Sequence, residues 1–470
     1  MVDAKPVTSR TRWLYGFGSV AYGVKDNGFS YFLMFYYNQV LDVPASYAGI
    51  AIFLSLMLDA VVDPLIGFWS DNTHSRWGRR HPFMYAAALP VGIAYFLLWH
   101  PPVEHLSDAG MIAYLTIVSI LVRQFVAVYE IPSAAIVAEL TDDYDERTRL
   151  LSLRYMFGWL GGLTMSFLMW NYFMDKYGIN GATAYEEYGV VAVVLMVIAI
   201  LGSSAGLHKN IPQFHKPPVR QSHRVGRVLG DIKRTLSNRN FAALFIAGLF
   251  AAMGAGVGTN FNTYINAHFW EFTPKQVSWI VLSLALSAGL AALLSPIVTR
   301  RFDKKATALA IYAISIVYGA APVLLRLAGW FPENGSPWLF PVMVVHQISE
   351  VTLIIMFGIV QSSMLADIVE EAEMSTGRRE EGLFFAARTF AAKATSGLGT
   401  LFAGIALDLI QFPRNAPVGS VPDDVIFKLG FIYGPSLMVL YFFALYSMTF
   451  YRIGRKDHNE RVETLTRVRA

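Results

Sequence analysis

The sequence predicts an all-α membrane protein: twelve transmembrane helices arranged as two pseudo-symmetric six-helix bundles. Composition is the first reason. Of 470 residues, 54% are hydrophobic and only 15% charged, whereas a soluble chain carries charge on about a quarter of its positions. Second, the apolar residues fall in blocks near the roughly 20 residues that a helix needs to cross a bilayer. Third, landmarks in the first half of the chain recur in the second at a nearly constant offset. Twelve spans of roughly 20 residues use about 240 positions, which leaves short loops and no sizeable soluble domain. The absence of cysteine excludes disulfides, thiolate metal sites and cysteine nucleophiles. A net charge of +4, from 38 Lys and Arg against 34 Asp and Glu, is explained by its placement at the span ends and gives no reason to expect a nucleic-acid partner. The first twelve residues are polar, and the apolar run from Trp13 is too long for a signal peptide, so no cleavable signal is expected.

Taken in order, the spans are expected at 13–41, 46–70, 82–101, 109–140, 150–175 and 187–208, then at 240–268, 275–299, 305–329, 337–368, 382–411 and 425–453. Lys and Arg set their orientation, because basic loops stay on the cytoplasmic side. The N-terminal tail holds Lys5, Arg10 and Arg12, the loop after the second span Arg76, Arg79 and Arg80, and the loop after the eighth span Arg300, Arg301, Lys304 and Lys305. Loops of the opposite parity hold little beyond Lys176, Lys275, Arg414 and Lys428. Both termini should therefore be cytoplasmic, in a multi-pass protein of a plasma membrane, with the bacterial inner membrane as the expected location.

Pro64 and Asp71 recur as Pro296 and Asp303, both displaced by 232 residues. Glu139 within Ala138-Glu139-Leu140 recurs as Asp367 within Ala366-Asp367-Ile368, and Arg154 recurs as Arg388. A parallel repeat of six helices around a basic linker is the organisation of a major-facilitator transporter. The expected division is an N-terminal bundle over 1–208, a linker over 209–239 marked by Lys216-Pro217-Pro218, a C-terminal bundle over 240–453 and a tail over 454–470. Asp71, Arg79, Asp303, Asp367 and Arg388, at the rim, are candidate cytoplasmic gating residues.

Ionisable side chains inside spans are functional candidates because burying them costs several kcal/mol. The first span holds Lys25 and Asp26, the second Asp59 and Asp63, the fourth Arg123 and Glu130, the fifth Arg154, the tenth His346 and Glu350, and the eleventh Lys393. Asp59 and Asp63 lie four residues apart, so both point from one helical face. Two stacked carboxylates repel, and such a pair takes up a proton or holds a cation. Applying the offset of 232 lands on Ala291 and Ser295, so only the N-terminal half carries this pair and the coupling-ion site belongs there. His346 and Glu350 are an additional titrating pair or a structural one.

The run Leu58-Asp59-Ala60-Val61-Val62-Asp63-Pro64, followed by Asp71-Asn72-Thr73 and Ser75-Arg76-Trp77-Gly78-Arg79-Arg80, resembles the glycoside–pentoside–hexuronide:cation symporters, the melibiose-carrier-like group of the major facilitator superfamily. Tyr15-Gly16-Phe17-Gly18, Lys25-Asp26, Ile131-Pro132 and Ala366-Asp367 are similar to family landmarks as well. The resemblance implies that Asp59 and Asp63 bind the coupling cation with Lys393 beside them, and that Asp26, Glu130 and Arg154 line the substrate site. Carboxylates accept hydrogen bonds from paired sugar hydroxyls, and arginine donates while balancing their charge. Lys25, Tyr22, Asn260 and Tyr264 complete the expected substrate-binding set. Tyr36 and Tyr37, in the aromatic run of the first span, are further ligand candidates.

Two departures from the family pattern bear on coupling and substrate. Val62 and Ala127 stand where sodium-using members resemble one another in carrying oxygen-bearing side chains, which favours a proton over Na+. Ala134 stands where galactoside carriers share a stacking tryptophan, which speaks against a galactoside. The expected activity is cation-coupled symport of a sugar, glycoside or hexuronide by alternating access, by a monomer that uses no cofactor beyond the ion. Sodium coupling and a lysolipid or amphiphile substrate are the alternatives. An enzyme is not expected, because no nucleophile or metal-ligand constellation is present. Gly202-Ser203-Ser204-Ala205-Gly206 lacks the strand–turn–helix setting of a nucleophile elbow. Gly254-Ala255-Gly256-Val257-Gly258 lacks the setting of a phosphate loop.

Overall fold

Backbone N–H and C=O groups inside lipid must pair within their own segment, which favours helices for spans of this kind. The computed structural model describes residues 7–141, 143–213, 239–301, 303–376 and 381–452, and its long elements are all helical. Twelve helical runs follow one another among these residues. They are α1 (9–40), α2 (Ala45–Asn72), α3 (His81–Trp99), α4 (Ala109–Leu140), α5 (144–177), α6 (Ala182–Leu207), α7 (Arg239–Phe269), α8 (Pro274–Arg301), α9 (Lys304–Leu327), α10 (Leu339–Thr376), α11 (Glu381–Leu409) and α12 (Asp423–Thr449). Nine of the described helices are long and apolar enough to cross a membrane. The remaining three, α1, α5 and α11, carry Lys25 with Asp26, Arg154 and Lys393. The linker beyond Gln213 and the tail beyond Arg452 lie outside the described residues.

Helix ends differ from the hydropathy blocks where capping extends a helix into water. The Thr8 hydroxyl accepts from the Thr11 amide at 3.2 Å, so α1 begins at Ser9 rather than near Trp13. Asp143 Oδ1 accepts from the Glu146 amide at 2.7 Å and starts α5 six residues before its apolar block. Asp303 caps α9 through the amides of Lys305 and Ala306 at 2.9 and 3.3 Å. Such caps satisfy amides that have no partner within the first helical turn, so polar residues join the helix.

The internal repeat extends to backbone irregularities. A π turn at Tyr36–Val40 is followed by Asp42 at φ 58°, and a π turn at Ile265–Phe269 by Glu271 at φ 52°. Non-glycine residues seldom adopt the left-handed region, so its recurrence at equivalent places in α1 and α7 shows that both halves stop this helix by the same device.

Within the N-terminal half, α2 and α3 pack on α4, while α1 packs on α5 and α6. In the C-terminal half, α8 and α9 pack on α10, and α7 on α11 and α12. The halves meet along α2–α11 and α5–α8, which are equivalent under the repeat, and along α1–α7. Glycine permits the closest of these approaches. A Cβ placed on Gly23 would lie 1.8 Å from the Gly158 carbonyl oxygen, and one on Gly256 would lie 2.3 Å from that of Ser396. Small residues of this kind let membrane helices approach by their backbones. Gly23→Val should therefore separate α1 from α5 and cost about 3 kcal/mol, the upper part of the usual range for overpacking. The expected readout is a lower melting temperature and a poor monodisperse yield, and unchanged melting would refute this packing.

On the side away from the termini, the halves are tied together by short polar contacts. Asp408 at the end of α11 accepts from the amides of Ala45 and Ser46, the first residues of α2, at 3.1 and 3.0 Å. Gln39 donates to the Pro413 carbonyl at 3.0 Å and accepts from the Ala416 amide at 3.2 Å. Asn180 donates to the Ala416 carbonyl at 2.9 Å, and Lys275 pairs with Asp175 at 3.1 Å. We call this the distal seal.

Candidate cation and substrate site

Midway along the α2–α11 contact, below the distal seal, α2 presents Asp59 and Asp63 from successive turns, and α11 answers with Lys393. The Lys393 ammonium donates to Asp59 Oδ2 at 2.9 Å and also to Asp63 Oδ2. One lysine faces two carboxylates, which leaves the trio one negative charge in excess when all three are ionised. Asp63 Oδ1 is buried and, among the described residues, has no hydrogen-bond partner. It is therefore a free acceptor beside a second carboxylate, which suits a proton or a small monovalent cation. Pro64 stands within α2 immediately after Asp63.

On α1, Lys25 is 4% exposed and Asp26 51% exposed at the side chain; their charged atoms lie 3.6 Å apart. The Lys25 ammonium also sits 4.4 Å above the ring of the exposed Tyr22. Arg123 of α4 is buried, donates to Ser55 at 3.0 Å and lies 4.5 Å over the Phe29 ring. Ser55 stands one turn before Asp59 on α2, which joins Arg123 to the site as a member that sequence reasoning left without a role. An arginine halfway along an apolar span was the signal available for it.

The fourth element is the pair between α4 and α5. Arg154 contacts Glu130 Oε1 at 2.7 Å, donates to the Glu130 carbonyl at 3.2 Å and to Ser133 Oγ at 3.0 Å. Its guanidinium also lies 5.5 Å from the ring of Tyr15. Glu130 Oε2 remains a buried acceptor with no partner among the described residues. Four cations (Lys25, Arg123, Arg154, Lys393) thus accompany four carboxylates (Asp26, Asp59, Asp63, Glu130). Among the described residues no three His, Asp or Glu side chains converge as a metal site.

Other expected residues fall elsewhere. Asn260 is buried and donates to Thr400 at 3.0 Å, joining α7 to α11, while Tyr264 donates to Asn38 at 2.9 Å, joining α7 to α1. Neither is grouped with the charged cluster: the Asn260 amide nitrogen and the Tyr264 hydroxyl bridge helices, while Asn260 Oδ1 is buried without a partner among the described residues. Tyr36 and Tyr37, also expected near a ligand, are buried and donate to the carbonyls of Trp99 and Leu98 at 3.1 and 2.9 Å. His346 and Glu350 sit together inside the C-terminal half, away from the cluster.

At the rim, Arg79 donates to Glu139 at 2.8 Å, and Arg80 reaches both Glu139 and Asp71 at 3.1 Å. Asp71 therefore pairs with Arg80 rather than Arg79, and Glu139 is the hub. Its signal was the Ala138-Glu139-Leu140 repeat landmark. Asp303 serves as the α9 cap. The side chains of Asp367 and Arg388 lie outside the described residues.

A family model described as MFS/sugar transport protein matches residues 14–455. The inner membrane symporter YicJ of Escherichia coli (strain K12) is 28% identical over 398 residues, covering 83% of this chain and 79% of that protein. The isoprimeverose transporter of Lactiplantibacillus pentosus is 22% identical over 448 residues, covering 94% and 88%. Among solved structures, the crystal structure of the nucleoside transporter NupG superposes with a TM-score of 0.62 at 18% identity, covering 95% of this chain and all of that one. This last likeness is one of fold alone.

Proposed function

Because the chain belongs to the MFS/sugar transport protein family, in keeping with the symporter resemblance of its LDAVVDP run, we propose that it is a proton-coupled symporter of a sugar, glycoside or hexuronide. The observation that carries this reading is the single lysine of one half held by two carboxylates of the other. That trio lacks one positive charge, and a bound proton supplies it. Neutralising the trio lowers the cost of moving the α2–α11 junction through lipid-lined surroundings and, with it, of the rocking that exchanges access between the two sides.

In this reading substrate meets Asp26, Lys25 and Tyr22 on α1 and the free oxygen of Glu130 on α4. Arg154 holds that carboxylate in place. The eight charges of the network cancel, so taking up one proton leaves it with a net positive charge, which suits a uronate as well as a neutral sugar. Relatives named as a symporter and as an isoprimeverose transporter support a substrate of this kind. A proton is preferred over Na+ because Val62 and Ala127 bring no oxygen near the carboxylates. The Lys and Arg distribution supports cytoplasmic termini in a bacterial inner membrane. With the distal seal made, the state described is closed on the side away from the termini. One chain supplies the whole site, so a monomer suffices, and gating at the rim is assigned to Asp71, Arg79, Arg80 and Glu139, with Asp303, Asp367 and Arg388 as the counterparts in the second half.

Purified protein in vesicles loaded with a pH-sensitive dye tests the reading. Sugars, glycosides, uronic acids and lysolipids are added with and without sodium. Substrate-driven acidification that needs no sodium is expected from a sugar or uronate. Sodium-dependent uptake without acidification would replace the proton by Na+, and a response to lysolipids alone would overturn the substrate class.

A further inference from the structure

A second polar cavity lies wholly within the C-terminal half, between α7, α9, α10 and α12, and the transport reading makes no use of it. Its volume is about 130 Å³, room for several water molecules. Glu350 of α10 projects into it, and Gly319 of α9 makes the space: a Cβ there would lie 2.6 Å from Glu350 Oε1. Among the lining residues there is no lysine, arginine or second carboxylate. The titratable groups facing Glu350 are His346 on its own helix and Tyr433 and Tyr441 on α12. Helix α9 adds the ring of Tyr318, stacked on His346 at 4.7 Å, while α7 contributes the uncharged Asn262 and Asn266.

The histidine defines what Glu350 must do. His346 Nε2 lies 2.8 Å from the Tyr318 carbonyl oxygen, which only accepts, so the ring proton sits on Nε2. Nδ1 is buried without a hydrogen-bond partner and lies 3.8 Å from Glu350 Oε2, in a side chain only 8% exposed. A neutral imidazole with its proton on Nε2 therefore turns a lone pair toward a carboxylate. Two acceptors face each other with no donor between them, and no cation lines the cavity to offset the charge. An uncompensated carboxylate within a span is costly even at the 25% exposure of the Glu350 side chain. A positive charge placed between the two atoms removes both problems.

We propose that this cavity is a second monovalent-cation site, held by Glu350 and His346 within the C-terminal half and separate from the Asp59–Asp63–Lys393 centre. In its proton form the carboxylate takes up H+ and becomes a carboxyl group whose O–H is directed at Nδ1. In its alkali-ion form the ion bridges Oε2 and Nδ1. The two forms share one chemistry and differ in what displaces them.

Infrared difference spectra of the purified full-length protein across a pH step distinguish them. The proton form predicts a protonated-carboxyl C=O band that Glu350→Gln abolishes and Asp59→Asn/Asp63→Asn leaves in place. Gly319→Ala should shift that band, because the added methyl displaces the carboxyl, and His346→Gln should shift it by removing the acceptor. These two variants keep the test informative if Glu350→Gln folds poorly. The alkali form predicts instead a thermal stabilisation by NaCl over choline chloride that persists in Asp59→Asn/Asp63→Asn and disappears in Glu350→Gln. The proposal is overturned if folded Glu350→Gln retains both the pH-dependent carboxyl band and the salt response of the wild type. It is equally overturned if Gly319→Ala and His346→Gln leave every signal unmoved.

Discussion

Vesicles containing the Asp59→Asn/Asp63→Asn variant are expected to exchange substrate across the membrane and to lose concentrative uptake completely, with an inside-to-outside ratio falling to about one because no ion gradient remains coupled. The amides keep the shape of the carboxylates and remove the two groups facing Lys393 that are able to take up the driving cation. Lys393 then carries an unopposed charge at the α2–α11 junction. Leaving one member of a buried ion cluster without its partners typically costs about 3–5 kcal/mol, so the double variant should also melt at a lower temperature. Adding Lys393→Gln should restore much of the thermal stability and none of the uphill transport. Concentrative uptake by the double variant, measured with any substrate that the dye assay identifies, would remove the carboxylates from the coupling mechanism.

The second large effect is expected at the α4–α5 pair. Arg154 makes three hydrogen-bonding contacts to Glu130 and Ser133, and Glu130 has no other cation among its described contacts. Arg154→Gln should lose substrate binding and destabilise the fold by about 3–5 kcal/mol, since a buried carboxylate is left alone. Lysine keeps the charge but not the planar fork, so Arg154→Lys should recover stability better than binding. Glu130→Gln/Arg154→Gln should melt close to the wild type and still bind no substrate. If binding instead follows melting temperature across these variants, the pair is scaffold and the substrate meets other residues.

Legibility in the sequence follows how a residue contributes. Asp59, Asp63, Arg154 and Lys393 stand out because a charge in an apolar span has few reasons to exist other than function. The twelve spans are legible for the complementary reason, that long apolar blocks have few alternatives. Asn260 and Tyr264 look like cavity residues by type; the Asn260 amide nitrogen and the Tyr264 hydroxyl also bridge helices, and composition does not reveal such bridges. Arg79 and Arg80 are adjacent and equally basic, so choosing which one meets Asp71 requires the geometry of the loop. The distal seal was invisible because its acceptors and donors are mostly backbone groups of Pro413, Ala416, Ala45 and Ser46. No side-chain pattern encodes them.

That seal has a consequence for the working cycle. Asp408 belongs to one half of the molecule, and the helix end that it satisfies belongs to the other. When the halves part on this side, the first two amides of α2 give up their hydrogen bonds to Asp408 and water takes them over in the same movement. A capping interaction is worth about 1 kcal/mol, so Asp408 adds to the closure a bias in population of several fold rather than a bolt. Asp408 acts as a detent: it gives the resting state an address while keeping the return journey within reach of thermal energy.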